Sequence, residues 1–194
     1  MKLVILDRDG TINIDSDEYV KSAEEWEPLP GALDAIARLS HAGWHVVIAS
    51  NQSGLGRGLF DVSALNAIHS KMLKAVAVAG GRIDAIFYCP HSPGEGEKAC
   101  TCRKPLPGLF EQIGDRYGIE LKGVPTAGDS LRDLQAGVAA GCEPHLVLTG
   151  KSVIYRNQPL PDSFPPGTHT HADLAAFADF LIAREVQAAL AVAI

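Results

Sequence analysis

A chain of 194 residues is long enough for one substantial core and short for two ordinary domains, so a single domain over residues 1–194 is expected. Its 46% hydrophobic and 21% charged residues are those of a soluble globular protein, and a net charge of −6 argues against a nucleic-acid partner, which calls for a basic face. No stretch approaches the roughly 18 apolar residues that span a bilayer, and Met1-Lys2 runs straight into a short apolar segment rather than a secretory signal, so no membrane association and a cytoplasmic location are expected.

In chain order, β-branched and aliphatic runs at residues 3–6, 45–49, 83–88, 124–127 and 145–148 read as strands. Their apolar character is continuous rather than alternating, which marks parallel strands covered on both faces. Helical patterns lie between them at 32–41, 62–79, 109–117 and 131–140, with a last one from about 172 toward the C-terminus. Asp61 is placed to cap the second, while Gly118 and Gly141 follow the third and fourth. Five βα units predict an α/β fold: a three-layer, Rossmann-like parallel sheet with its ligand site at the carboxyl ends of the strands. Residues 151–170, with Pro159, Pro161, Pro165 and Pro166, read as an irregular surface crossover in which His169 and His171 are exposed. Residues 54–58, Gly-Leu-Gly-Arg-Gly, read as a flexible rim, and Trp26, Trp44 and Cys142 as packing residues.

The first strand delivers two carboxylates into a turn: Leu6-Asp7-Arg8-Asp9-Gly10-Thr11. Cleavage of a phosphate ester can use one carboxylate as nucleophile and another as proton donor to the leaving oxygen. Two such anions would repel a phosphate, so a divalent cation is expected, and magnesium suits an all-oxygen site. Gly128-Asp129-Ser130-Leu131-Arg132-Asp133, again after a strand and before a helix, supplies the third carboxylate at Asp129.

Three of four cysteines crowd one loop. Cys89-Pro90-His91 and Cys100-Thr101-Cys102 form Cys-x-His and Cys-x-Cys pairs around a polar, Gly-rich stretch at 92–99. Three thiolates and an imidazole make a closed tetrahedral set suited to structural zinc, which would supply the constraint this segment lacks. Reduced thiols, or a disulfide between Cys89 and one of the pair, are the alternatives. Arg103-Lys104 follows Cys102 directly, so the loop would fix where both cations point.

Together these residues resemble the haloacid dehalogenase superfamily, whose DxDGT and GDxxxD signatures match residues 7–11 and 128–133. The resemblance implies that Asp7 is the nucleophile and Asp9 the acid/base. It implies further that Ser50 holds phosphoryl oxygens, that Lys104 neutralises the phosphoryl group, and that Asp7, Asp129 and the Asp9 carbonyl bind magnesium. Asp133 would orient Lys104 or a metal-bound water, or else serve as a first-turn helix carboxylate.

The Cys-x-His and Cys-x-Cys-Arg-Lys-Pro pattern without a sizeable cap insertion is similar to the histidinol-phosphate phosphatase group. Gly10-Thr11-Ile12-Asn13, Tyr19-Val20 and Ser50-Asn51-Gln52-Ser53-Gly54 look most like its members that act on heptose bisphosphate. That branch implies removal of the 7-phosphate from a heptose 1,7-bisphosphate, in the making of nucleotide-activated heptose for lipopolysaccharide. Arg103 would hold the distal part of this phosphorylated sugar, and Asp15, Ser16, Asp17, Glu18, Asn51, Gln52 and Ser53 would line the opening. Ser130 stands where a Lys often follows the aspartate in such relatives. A histidinol-phosphate phosphatase and a non-catalytic zinc-stabilised binding module are the competing readings, and the compact, uncapped chain suggests a monomer.

Overall fold

A computed structural model of the chain describes residues 1–93 and 100–192. Its parallel strands are β1 (Leu3–Leu6), β2 (His45–Asn51), β3 (Ala85–Cys89), β4 (Pro125–Gly128), β5 (Glu143–Val147) and β6 (His169–His171). They pair in the order β3-β2-β1-β4-β5-β6. Helices α1 (Ala32–His41), α2 (Ser53–Gly56), α3 (Val62–Val78), α4 (Gly108–Tyr117), α5 (Leu131–Ala139) and α6 (Leu174–Val192) connect and cover them.

The unbroken apolar run of β1 has a direct cause, because both of its faces are buried. Val4 and Leu6 join Ile36 and Leu39 of α1, Ile68 and Met72 of α3, and Phe177 and Leu181 of α6 in one core. Leu3 and Ile5 point the other way, toward Leu109, Phe110 and Ile113 of α4 and Ala136 of α5. The result is a three-layer α/β sandwich, in which each fully buried aliphatic side chain contributes about 1.5–3 kcal/mol. Asp61 caps α3 as expected, its carboxylate accepting from Ala64 N at 2.8 Å. Gly118 and Gly141 follow α4 and α5 with positive φ, also as expected.

The chain order reverses between β1 and β4, so their carboxyl ends open a crevice that the sheet cannot fill. That crevice is where Asp7 and Asp129 emerge. Among the described residues no insertion large enough to form a cap domain covers it.

The structure departs from the sequence reading in three places. Residues 151–170 are not wholly irregular: a 3₁₀ helix spans Gly150–Tyr155, and His169–His171 forms β6 beside β5. His171 is therefore buried rather than exposed, with its Nε2 3.0 Å from Nδ1 of the fully buried His145. The stretch at 54–58 is no free rim. Most of it belongs to α2, where Gly56 N donates to Pro90 O at 2.9 Å and Gly54 lies against Phe60. The central part of the cysteine loop, residues 94–99, lies outside the described residues.

Candidate active site

At the end of β1, Asp7 N still donates to Ala127 O of β4 at 2.9 Å, after which the chain turns through Gly10 at φ 80°. A side chain at Gly10 or at Gly150 would collide with the carboxylate of Asp129, so these two glycines let the loops after β1 and β5 close around it. Lys151 N donates to Asp129 Oδ2 at 2.7 Å, and Thr149 Oγ1 donates to Gly10 O at 2.6 Å. Three strand ends are thereby tied together.

Lys104 sits at the centre, 2% exposed. Its Nζ lies 2.7 Å from Asp7 Oδ1, 2.7 Å from Asp133 Oδ1 and 2.7 Å from Ala49 O. Burial alone would depress its pKa, but Asp133 and Asp7 raise it, so the ammonium stays charged. Asn51 at the end of β2 aims this lysine, because its amide both donates to Lys104 O at 3.0 Å and accepts from Lys104 N at 3.1 Å. Asp133 serves in both of its expected capacities. Oδ1 pairs with Lys104 while Oδ2 accepts from Ser130 N at 3.0 Å and Ser130 Oγ at 2.5 Å, closing a capping box on α5.

One ammonium cannot balance three carboxylates. Burial, then Asp133, push Asp7 up to about 7 in spite of Lys104, and burial, Asp133 and Asp7 push Asp129 up to about 8. Oxygens of Asp7, Asp129 and Asp133 all lie within 4.8 Å of one another. A buried, all-oxygen anionic set of this kind fits a magnesium ion.

Asp9 is arranged differently. Arg8, 1% exposed, donates to its Oδ1 through Nε at 3.0 Å and to its Oδ2 through Nη2 at 2.8 Å. Asn13 Nδ2 donates to Oδ1 and Gln52 Nε2 to Oδ2, each at 2.9 Å. Burial raises the pKa of Asp9, yet Arg8 and these hydrogen bonds outweigh it and hold the carboxyl below the ordinary 3.8. Ser50 is buried and accepts from Gln52 Nε2 at 2.8 Å.

These groups line one cavity of about 360 Å³, together with Asp15, Ser16, Asp17, Tyr19, Ser53, Arg57, Arg103, Arg132 and Lys151. The loop after β1 is latched across its mouth by Lys151 Nζ, 3.0 Å from Asp15 Oδ2. Arg103 Nη1 donates to His91 O at 3.2 Å, so the cysteine loop does hold this guanidinium. Burial and then the neighbouring Arg132 lower the Arg103 pKa.

In the cysteine loop, Cys89 Sγ and Cys102 Sγ are each 3.5 Å from His91 Nδ1, and Cys89 Sγ is 3.7 Å from Cys100 Sγ. A tetrahedron with metal–sulfur bonds of about 2.3 Å and a metal–nitrogen bond of about 2.0 Å has edges of about 3.5–3.8 Å, so these spacings fit zinc. All the cysteines are free thiols, which sets the disulfide alternative aside. Burial and the other thiols push Cys89 up to about 12, so this sulfur is a thiolate at neutral pH only beside a cation.

Residues 101–177 match the family model described as HAD-hydrolase-like. Over 182 residues the chain is 57% identical to the D-glycero-β-D-manno-heptose-1,7-bisphosphate 7-phosphatase of Bordetella bronchiseptica, covering 94% of this chain and 98% of that one. The chain belongs to the heptose bisphosphate phosphatase family of HAD-like hydrolases. A Pseudomonas aeruginosa member of the family is 50% identical over 93% of this chain and 97% of its own. The crystal structure of the Bordetella bronchiseptica D,D-heptose 1,7-bisphosphate phosphatase, complexed with magnesium and phosphate, superimposes with a TM-score of 0.89 at 56% identity, over 95% of this chain and 99% of that one.

For a member of this family, the residues expected from sequence converge well. Asp7, Asp9, Ser50, Lys104 and Asp129 meet at one crevice, and Asp15, Ser16, Asp17, Asn51, Gln52, Ser53 and Arg103 line it. Glu18 does not share that cavity and lines a neighbouring groove with Tyr19 and Lys21. Asn51 Oδ1 and Nδ2 each make a hydrogen bond to the Lys104 backbone, and Gln52 directs its oxygen to Arg8 and its amide hydrogens to Asp9 and Ser50. Sequence reasoning missed Arg8, Arg57, Arg132 and Lys151. Arg8 and Arg132 stand beside signature aspartates, and that adjacency was the available signal.

Proposed function

We propose that this protein hydrolyses the 7-phosphate of D-glycero-β-D-manno-heptose 1,7-bisphosphate, giving heptose 1-phosphate and inorganic phosphate, as one domain in a cytoplasmic route to nucleotide-activated heptose. The observation that carries the reading is the 57% identity, across 94% of the chain, to an enzyme named for that reaction. The site geometry supports the chemistry independently.

In the mechanism, Asp7 Oδ2, the oxygen not held by Lys104, attacks phosphorus in line with the leaving oxygen. Asp9, a carboxylate in the unliganded site, takes up a proton as the phosphate dianion enters, donates it to that oxygen as the P–O bond breaks, then removes one from the water that hydrolyses the aspartyl-phosphate. Lys104 offsets the negative charge gathered on Asp7 and the equatorial oxygens, and Ser50 donates to one of them. Magnesium, held by Asp7, Asp129 and the main-chain carbonyl of Asp9, would lend the charge that lets a phosphate dianion enter beside three carboxylates. Zinc at Cys89, His91, Cys100 and Cys102 would be architectural.

Beyond the reacting phosphate, Arg103 and Arg132 line the cavity, and neither forms an ion pair among the described residues. Guanidinium groups bind phosphate through paired hydrogen bonds, which suits the distal phosphate of a bisphosphate. Arg132 would supply the cation that Ser130 does not. The acidic net charge supports a small-molecule substrate rather than nucleic acid. No helix among the described residues is long and apolar enough to cross a membrane. A chain this compact, with no cap-sized insertion among the described residues, is proposed to act as a monomer.

The reading is tested by following phosphate release from heptose 1,7-bisphosphate with magnesium and from histidinol phosphate under matched conditions. Loss of the 7-phosphate with retention of the 1-phosphate is the expected result. A preference for histidinol phosphate would overturn the substrate, and no turnover of either would overturn the reaction.

A further inference from the structure

The side chain of Gln52 is 4% exposed, and each of its polar atoms faces protein. Its Oε1 accepts from Arg8 Nη2 at 3.2 Å, while Nε2 donates to Asp9 Oδ2 at 2.9 Å and to Ser50 Oγ at 2.8 Å. Arg8 is buried as well, and its Nη2 reaches both oxygens of Asp9, at 2.9 and 2.8 Å. Asn13 Nδ2 closes the remaining side at 2.9 Å from Oδ1 and also donates to Ile14 O. The Asp9 side chain still keeps 20% of its surface accessible and lines the reaction cavity. A carboxyl gripped on both oxygens by buried groups cannot rotate freely, so the part left open to the cavity is fixed in direction.

We infer that Arg8, Gln52 and Asn13 form a clamp that positions the Asp9 carboxyl against the leaving-group oxygen, with Gln52 coupling that carboxyl to the phosphoryl-holding Ser50. Gln52 is then a positioning residue rather than a substrate contact. The inference rests on the proposed roles of Asp7 and Asp9 and concerns only the step in which the P–O bond breaks. In that step the bonding pair moves to the leaving oxygen, which takes the proton that Asp9 gained from solvent when the phosphate dianion entered, while the phosphoryl group passes to Asp7. A sugar alkoxide is a poor leaving group and needs that proton, whereas a nitrophenolate leaves without it. Misaiming Asp9 therefore penalises an alkyl phosphate selectively.

The experiment compares kcat and KM for heptose 1,7-bisphosphate and for p-nitrophenyl phosphate in wild type, Gln52→Ala and Arg8→Lys, and in each variant combined with Asp9→Asn. Thermal melts check that every variant is folded. If the wild type turns over another alkyl phosphate but not the heptose, that ester replaces it, so the substrate reading fails separately from the clamp. The expected result is a kcat loss at least about tenfold greater for the alkyl ester than for the aryl ester, with KM within about twofold, since general acid catalysis contributes on the order of 10²–10⁴. In the Asp9→Asn background the same substitutions should change the alkyl-to-aryl ratio by less than about twofold, because the group being aimed is gone. Arg8→Lys keeps a buried cation without the fork, so it should show the same selectivity if Gln52→Ala perturbs too little. Equal losses on both esters, a pure rise in KM, or a selectivity that persists without Asp9 would each overturn the clamp. A wild type that hydrolyses neither ester would overturn it together with the reaction.

Discussion

The crowding of Asp7 and Asp129 makes stability depend on pH in a way that magnesium should cancel. Their carboxyls titrate at about 7 and about 8 in the folded, metal-free protein, against an ordinary 3.8. Between those values the folded state holds protons that the unfolded chain has lost, so stability falls as pH rises, and the fall is complete above the folded pKa. From about pH 6.5 to about pH 8.5 the two groups together account for a loss of about 2–3 kcal/mol. For a domain of this size that corresponds to a Tm lower by about 5–10 °C. The assay is a pair of thermal melts at each pH, in magnesium-free buffer without chelator so that the cysteine loop keeps its metal, and again with saturating magnesium. A cation between the carboxylates removes their reason to hold protons, so the slope should vanish while Tm rises overall. An equal fall in both buffers, or a flat metal-free profile, would refute the reasoning.

The other expectations follow from single contacts. Cys102→Ser removes one corner of the Cys/His cluster, so bound zinc measured by atomic absorption should be lost and Tm should drop by at least about 5 °C. Its KM for the bisphosphate should also rise, since Arg103 is hooked to His91 O. Arg132→Ala should raise KM for the bisphosphate about tenfold and leave that for a sugar monophosphate unchanged, as expected for one charge-assisted contact. Burial depresses His145 to about 3 and His171 to about 4, so these rings fold neutral, and stability should be lost as pH falls below 6.5. His171→Phe should shrink that loss between about pH 6.5 and about pH 5 by about 1–2 kcal/mol in denaturant titrations with saturating magnesium.

How much of this was legible in the sequence depended on what each signal had to compete with. The run at residues 3–6 stood out because both faces of β1 are covered, and the carboxylates after it were recognisable by their order with Asp129 and Lys104. β6 was invisible, since His-Thr-His on a sheet edge carries no apolar run. The true start of β5 was masked by Pro144. Glu143 N donates toward β4, so Pro144 N points to the other side, where β6 begins only opposite His145 and no donor is needed. Asn51 and Gln52 were placed in the right cavity but not in their observed contacts. An amide near a phosphate site reads as a ligand contact, and sequence does not reveal the buried Lys104 and Arg8 that it also bonds. Arg8 itself is a buried cation between two aspartates, and sequence alone does not say which of them it faces.

The most direct test of Asp7 is covalent. The wild-type enzyme is mixed with heptose 1,7-bisphosphate and magnesium, quenched in acid within a turnover, digested and examined by mass spectrometry. One phosphoryl group should appear on Asp7, and Asp7→Asn should show neither this adduct nor turnover while melting as a folded protein. Phosphorylation of another residue, or near-normal turnover by Asp7→Asn, would contradict it.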